Sequence, residues 1–182
     1  MNQKEEQKRA TRARILQSAA QLFREKGLNG AGVAEIMKNA GLTHGGFYAH
    51  FRNKSDLVNQ AFTHAMDTSR ENWFKNLENA SAEETLTALT KRYLSRDHRD
   101  NVETGCPLPP LSADMLANGS EGCRTLEKNL KKSIKQYGEQ IKSLKKNHNW
   151  KQQMKPLLNW SLVSAASYWR ERLTAPVFLS VY

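Results

Sequence analysis

The chain has 182 residues and a formal net charge of +10, from 28 Lys and Arg against 18 Asp and Glu. Hydrophobic residues make up 38% and charged residues 25%, with 5 Pro and 10 Gly, which excludes collagen-like and plainly disordered chains. Two cysteines are too few for a secreted disulfide framework or a four-thiolate zinc site, so we expect a soluble protein of the cytoplasm.

The charge is unevenly distributed along the chain. Residues 1–54 carry a net charge of +6 and residues 121–151 also carry +6, whereas residues 55–120 carry −4. A basic block attracts nucleic acid or an anionic membrane by Coulomb steering, but it is more often a solvated helix face. Charge alone therefore leaves the partner undecided.

Apolar spacing in the first half of the chain predicts helices. A stripe with a period of 3.6 residues ends near Gly27, and a short helix follows from Val33 to a stop at Gly41. One long helix is predicted from Asn53 to about Glu78, and Ser81 is placed to begin the next. The residues of the first stripe are Ile15, Ala19, Leu22 and Phe23.

The second half is less regular before it becomes helical again. We predict a loop over RDHRDN, a turn over GCPLPP and a short helix over residues 111–117. An amphipathic helix follows from Cys123 to Leu144, and a last helix from Met154 to Leu173. No alternating strand pattern longer than four residues occurs, so the predicted fold is all-α.

The segment VAEIMKNAGLTHGGFYAHFRNK, residues 33–54, has the pattern of a helix-turn-helix. Gly41 supplies the turn, Thr43 is a favourable N-cap, and Phe47 and Phe51 fall on one face of the second helix. Two glycines, Gly45 and Gly46, each cost a helix about 1 kcal/mol relative to alanine. Their presence in the first turn indicates a backbone that must approach another molecule closely, and DNA is the obvious candidate.

Several side chains fall where DNA phosphates are expected. Tyr48 and His50 lie on the exposed side of the second helix, and the N-terminus of the long helix at Lys54 is suited to an anion. Taken singly, Tyr48 and His50 are equally explained as surface residues. Three arginines of the first helix are within reach of flanking backbone: Arg9, Arg12 and Arg14.

These residues together resemble the DNA-binding domain of TetR-family (TetR/AcrR) transcriptional regulators. The resemblance covers residues 8–62, with ILQSAAQLFREKGLNG as first helix, GVAEIMKNAGL as second and THGGFYAHFRNKSDLV as recognition helix running into the fourth. It implies an N-terminal three-helix helix-turn-helix domain, residues 1–53, joined by a long fourth helix to a helical ligand-binding and dimerisation domain, residues 54–182. It also implies a homodimer on double-stranded operator DNA. Gly32 departs from the Ser or Thr common at the start of the second helix.

The resemblance further implies a repressor released from its operator by a small-molecule effector. By position, DNA contact is assigned to Thr43, His44, Gly45, Gly46, Tyr48, His50 and Lys54, and Arg14 joins them from the first helix. A dimer surface is expected on the last helix around Leu157 and Ala165, although the same stripe could be buried within one chain.

An effector pocket is expected among the middle helices, where apolar and aromatic side chains collect. The candidate lining residues are Trp73, Leu77, Tyr93, Cys106, Leu111 and Met115. Side chains of this kind are more often core than ligand contacts. Few acidic groups lie among them, which favours a neutral or apolar effector.

Cys106 supports an alternative, a thiol-based redox- or electrophile-sensing repressor. In Thr104-Gly105-Cys106-Pro107 the thiol is expected beside a helix N-terminus, which would favour the thiolate. A small buried cysteine that only fills core is the competing interpretation.

Other functional classes fit poorly. The five histidines show no HExxH spacing, and no phosphate-binding Gly-rich loop or G-x-S-x-G string is present, so we expect no enzyme, no metal and no cofactor. A non-specific DNA-packaging protein remains a rival because of the basic block at residues 121–151. The effector, the operator and the sign of regulation are not encoded in any of these patterns.

Overall fold

In a computed structural model, the structure describes residues 2–140, and all regular structure in that range is helical. The elements are α1 (Gln3–Gly30), α2 (Val33–Asn39), a 3₁₀ helix (His44–Ala49), α3 (Lys54–Phe74), α4 (Ala82–Tyr93), α5 (Arg96–Asp100), α6 (Leu108–Ala117) and α7 (Gly119–Gln140). The predicted all-α fold is confirmed.

The chain divides into two compact units. Among the described residues, the first contains residues 2–72 and 102–133, and the second contains residues 73–101 and 134–140. The first unit therefore combines the helix-turn-helix with α6 and most of α7. The predicted domain boundary after Asn53 stays a prediction.

The core of the first unit is built on the predicted stripe of α1. Ile15, Ala19 and Phe23 are at most 1% exposed and pack with residues of α2, the 3₁₀ helix and α3. α1 is kinked at Gly27, whose φ of 73° is left-handed. The predicted helix end at Gly27 is confirmed, because its backbone is non-helical there and a separate short helical piece follows to Gly30.

The turn of the helix-turn-helix is formed as predicted. Gly41 has a φ of 68°, its N–H donates to the carbonyl of Lys38 at 2.9 Å, and the N–H of Leu42 donates to the carbonyl of Met37 at 2.9 Å. This pair of bonds is a Schellman motif, which ends α2 and redirects the chain.

The long helix begins where the sequence predicts and ends earlier. The side chain of Asn53 accepts the N–H of Asp56 at 2.8 Å, which caps the start of α3. α3 ends at Phe74 rather than near Glu78, because Asn76 adopts a left-handed φ of 62°.

The first helix that lies wholly in the second unit, α4, is well capped. Ser81 and Glu84 form a reciprocal capping box at the start of α4, as the sequence predicts for Ser81. The predicted loop RDHRDN is wrong in part: residues 96–100 form α5, because the Ser95 side chain accepts the N–H of His98 at 3.0 Å.

The later helices differ from prediction mainly at their ends. α6 starts at Leu108, three residues before the predicted start, with Pro107 as its N-cap. α7 carries the predicted stripe, with Leu126 buried and Leu130 half-buried. The predicted last helix and its dimer surface lie outside the described residues.

Candidate nucleic-acid interface

Two phenylalanines fix the 3₁₀ helix to the first unit. Phe47 and Phe51 are 1% and 2% exposed, and their rings stack with centroids 5.7 Å apart. Because both belong to the hydrophobic core, the opposite side of the 3₁₀ helix has to face outward.

That outward side carries the residues assigned to DNA. Thr43, His44, Gly45 and Tyr48 are exposed, and Tyr48 is the most so, at 70%. Gly46, His50 and Lys54 are half-buried. A large aromatic side chain with this exposure, held against Phe47 in an edge-on contact of 5.2 Å, is placed to contact a partner.

Neither glycine of the pair is needed by the protein's own packing. A Cβ atom added at Gly45 would meet no atom within 4 Å, and one added at Gly46 would make only ordinary contacts with Met37 at 3.7 Å and Thr43 at 4.0 Å. Within the described part of the chain there is thus no steric reason for glycine at Gly45.

Thr43 occupies the predicted N-cap position, but the capping hydrogen bond expected from its side chain is not formed. Thr43 is the N-cap residue of the 3₁₀ helix, but its side chain makes no capping hydrogen bond. Gly32 at the start of α2 likewise provides no side-chain cap. The Thr43 hydroxyl is exposed instead, where it can donate to or accept from a ligand.

Arg12 holds the end of the 3₁₀ helix rather than pointing away from it. Its guanidinium donates to the carbonyl of His50 and to the side chain of Gln60, and lies 4.4 Å from the ring centroid of Phe51. The expectation that Arg12 reaches DNA backbone gives way to a positioning role. The sequence holds the signal for it, since Arg12 is in register with Ile15 and the core stripe.

Arg14 also makes an internal contact. Its guanidinium donates to the carbonyl of Ala40, at the last turn of α2, although the residue is exposed. One face of the guanidinium therefore supports the helix-turn-helix, and its contact with DNA stays a prediction.

The surroundings of His50 disfavour its charged form. Burial lowers the pKa of His50, and the nearby positive charges of Lys8 and Arg12 lower it further. Its buried Nδ1 has no hydrogen-bond partner within residues 2–140. A neutral imidazole has one N–H donor and one acceptor nitrogen with which to bind a partner.

The residues predicted to line an effector pocket fall into both units. Leu111 and Met115 are 1% and 0% exposed and belong to the core of the first unit. In the second unit Trp73 and Tyr93 cluster with His98, with ring centroids 4.7 to 5.6 Å apart, and Leu77 is half-buried. Their role in ligand binding stays a prediction.

Cys106 is half-buried, and its chemistry differs from the prediction. Burial raises the pKa of the Cys106 thiol, and the Leu108 N–H and the Arg24 charge, which lower it, do not compensate. The expected preference for the thiolate is therefore wrong in direction. The Nε of Arg24 donates to the carbonyl of Gly105 at 3.2 Å, which ties this segment to α1.

Residues 2–140 contain neither a metal-binding cluster nor a membrane-spanning helix. Among residues 2–140 no group of three or more His, Cys, Asp and Glu side chains is arranged to hold a metal ion. None of the helices between the same limits has the length and apolarity required to cross a membrane.

The chain matches known proteins most clearly in this region. Residues 15–61 match the family of bacterial regulatory proteins, tetR family. The HTH-type transcriptional regulator AcrR of Shigella flexneri is 44% identical over 50 residues, which cover 28% of this chain and 23% of that protein. The fatty acid metabolism regulator protein of Bacillus subtilis is 30% identical over 90 residues, 49% of this chain and 46% of that one.

The fold extends the match beyond the helix-turn-helix. The reduced form of E. coli NemR superposes with a TM-score of 0.68 at 18% identity, covering 89% of each chain, which shows a shared fold. The chain spans less than half the length of the curated relatives it matches. Residues 15–61 therefore carry the DNA-binding region of the tetR family of bacterial regulatory proteins.

Proposed function

We propose that this chain is a sequence-specific DNA-binding transcriptional regulator of the cytoplasm, and not an enzyme. It acts as a homodimeric repressor that a small-molecule effector releases from its operator. The names of the relatives, which include HTH-type transcriptional regulators, support the regulatory part of the proposal.

The observation that carries the proposal is the outward face of the 3₁₀ helix. Thr43, His44 and Tyr48 are polar, exposed and adjacent, while Phe47 and Phe51 beneath them are buried. The space around Gly45 is open, so a larger residue would fit there in the free protein. The close approach of an external partner would explain why the residue is glycine.

The charge of this region fits the same partner. Residues 1–54 carry a net +6, and Lys54 stands at the start of α3, where unpaired backbone N–H groups favour an anion. Phosphate contacts of this kind provide affinity without sequence information, whereas the side chains of the 3₁₀ helix would contact base edges.

Release by an effector requires a path from the rest of the chain to the DNA-binding face. α6 contacts α1 within the first unit through the bond from the Leu28 N–H to Asp114, and the segment before α6 contacts α1 through the bond from Arg24 to Gly105. A ligand that displaced α6 would thus act on α1. In a dimer, two recognition elements must reach major grooves about 34 Å apart, so a small change in their separation weakens binding.

The test is selection from a random-sequence duplex library, followed by gel-shift competition. A specific regulator enriches a palindromic site and prefers it to bulk DNA by roughly a thousandfold or more. A packaging protein binds all duplexes alike, and that result would overturn the proposal. Sedimentation of the chain with and without the selected duplex measures whether a dimer binds.

The second candidate function is a repressor that senses electrophiles or oxidants through Cys106. It is favoured by the position of the thiol, one residue from the carbonyl that Arg24 of α1 contacts. Alkylation of Cys106 would disturb that contact and with it α1. The raised pKa of Cys106 makes such a sensor slow at neutral pH.

Cys106→Ser separates this candidate from the first. The sensing hypothesis predicts that the variant binds the selected duplex normally but is no longer released by N-ethylmaleimide. Cys123→Ser is the matched control, since it leaves Cys106 in place. If Cys106→Ser is released as readily as the wild type, the thiol has no sensory role.

A further inference from the structure

The first turns of α1 project beyond the core of the first unit. Residues 2–10 are exposed, and the first buried residue of the helix is Ile15. At 1.5 Å per residue, the exposed part of the helix from Gln3 to Ala10 is about 12 Å long. A helical segment that buries nothing in its own chain is available to a partner.

The projecting segment is attached to the candidate DNA-binding face. Arg12 donates to the carbonyl of His50, at the end of the 3₁₀ helix, and packs on Phe51. Lys8 lies one helical turn before Arg12, on the same side of α1, about 6 Å along the axis. The charge of Lys8 is near enough to the His50 imidazole to contribute to the lowering of its pKa.

Lys8 is an unused positive charge. It forms no salt bridge within the part of the chain that the structure describes, and its charge contributes to the lowered pKa of His50. An open groove of about 410 Å³ is lined by Glu5, Lys8, Arg9 and Arg12. Three of its four lining residues are basic, and one of them, Arg12, contacts the carbonyl of His50.

We propose that Lys8, at the exposed start of α1, binds a phosphate of the DNA backbone that flanks the bases contacted by the 3₁₀ helix. The segment from Gln3 to Arg12 is then a second DNA-contacting element, oriented by the bond from Arg12 to His50. This inference rests on the proposed function and adds to it a contact outside the helix-turn-helix.

A phosphate is the partner that these side chains fit best. An ammonium group binds a phosphate oxygen as a point charge, with no demand on base sequence, and an exposed Lys loses little desolvation energy on binding. The chemistry predicts a contribution to affinity that is independent of sequence and strongly dependent on salt.

The experiment uses the full chain and the duplex obtained by selection, with fluorescence anisotropy measured from 50 to 300 mM KCl. Lys8→Ala should weaken binding about three- to tenfold and reduce the slope of log K against log salt by about one per bound protomer. Lys8→Arg keeps the charge and should retain the wild-type slope.

Lys26→Ala is the matched control, because Lys26 lies on the same helix but pairs with Glu35. It removes the same charge and should leave the slope unchanged. Circular dichroism should show equal helicity and melting for all variants, since Lys8 contacts no core residue.

The outcomes separate the two proposals. If the wild type binds the duplex and Lys8→Ala binds with the wild-type affinity and slope, the inference about Lys8 is wrong and the proposed function stands. If Lys8→Ala and Lys26→Ala weaken binding equally, only net charge matters, and the inference is again wrong. If the wild type selects no duplex, the proposed function itself fails.

Discussion

The backbone N–H of Leu28 donates to the carboxylate of Asp114 at 2.9 Å, a bond that joins the end of α1 to α6 across 86 residues of sequence. It forms directly after Gly27, where α1 is kinked with a left-handed φ. The carboxylate thus satisfies a backbone donor that the kink releases from the helix.

Replacing Asp114 should destabilise the first unit. Asp114→Ala leaves the Leu28 N–H without its partner and should lower the free energy of unfolding by about 1–2 kcal/mol. Asp114→Asn keeps an acceptor oxygen and should cost less. Urea unfolding followed by circular dichroism measures both, and equal loss in the two variants would show that the bond to Leu28 does not contribute.

Gly41 is a second position where the backbone conformation determines how a substitution affects stability. Its φ of 68° disfavours any residue with a Cβ by about 1–2 kcal/mol, and a Cβ there would lie 2.9 Å from the guanidinium of Arg14. Gly41→Ala should therefore lower the midpoint of urea unfolding. A stability equal to the wild type would mean that the turn adopts another conformation in solution.

Features of this structure that are set by contacts between neighbouring residues could be predicted from the sequence, whereas those set by contacts between distant residues could not. Gly41 and Ser81 act within four residues, and the turn and the helix start that they predict are present. Arg12 and Asp114 act on residues 38 and 86 positions away, and although the sequence places Arg12 on the core side of α1, it does not identify either partner. α5 was missed for a different reason: its apolar pattern is weak, and its start is marked only by the local cap at Ser95.

The same distinction between local and long-range contacts applies to the candidate interface. Apart from Arg14, the residues assigned to DNA lie within the twelve positions from Thr43 to Lys54, so a local motif and its resemblance to a known family were enough to name them. The positioning of that segment by Arg12, and the lowered pKa of His50, depend on α1 packing against the 3₁₀ helix. Those features require the tertiary structure.

Gly45→Ala should separate folding from DNA binding. The added methyl group meets no atom within 4 Å, so the stability should be unchanged or higher by up to about 1 kcal/mol. Binding to the selected duplex should weaken about tenfold, because the methyl group occupies the space that DNA approaches.

The matched control for Gly45→Ala is Gly138→Ala. A Cβ at Gly138 also meets no atom within 4 Å, but Gly138 lies on α7, away from the 3₁₀ helix in sequence. It should bind DNA as the wild type does. Full affinity in Gly45→Ala would contradict the explanation offered for the glycine pair.

A polar network between α3 and α7 gives the first unit a pH-dependent component. Arg70, 4% exposed, donates to Asp67 and to the hydroxyl of Ser133 at 3.1 Å, and Lys132 also pairs with Asp67. Burial alone would raise the pKa of Asp67, but the hydrogen bonds and charges of Lys132 and Arg70 outweigh it and lower the pKa below the ordinary value.

The lowered pKa fixes the sign of the pH effect. A carboxylate whose pKa is lower in the folded state stabilises the fold above its unfolded pKa, near 3.9, and this stabilisation is lost as the pH falls through the folded value. Asp67→Asn should therefore cost about 1–2 kcal/mol at pH 7, since it weakens the bonds of a buried Arg70. Below about pH 4 the difference from the wild type should shrink.

Urea unfolding at a series of pH values from 7 to 3 measures this difference directly. Glu127→Gln is the control, because its partner Lys131 is 74% exposed and such a surface pair contributes little at any pH. A difference between Asp67→Asn and the wild type that stays constant down to pH 3 would show that the charge of Asp67 does not stabilise the contact between α3 and α7.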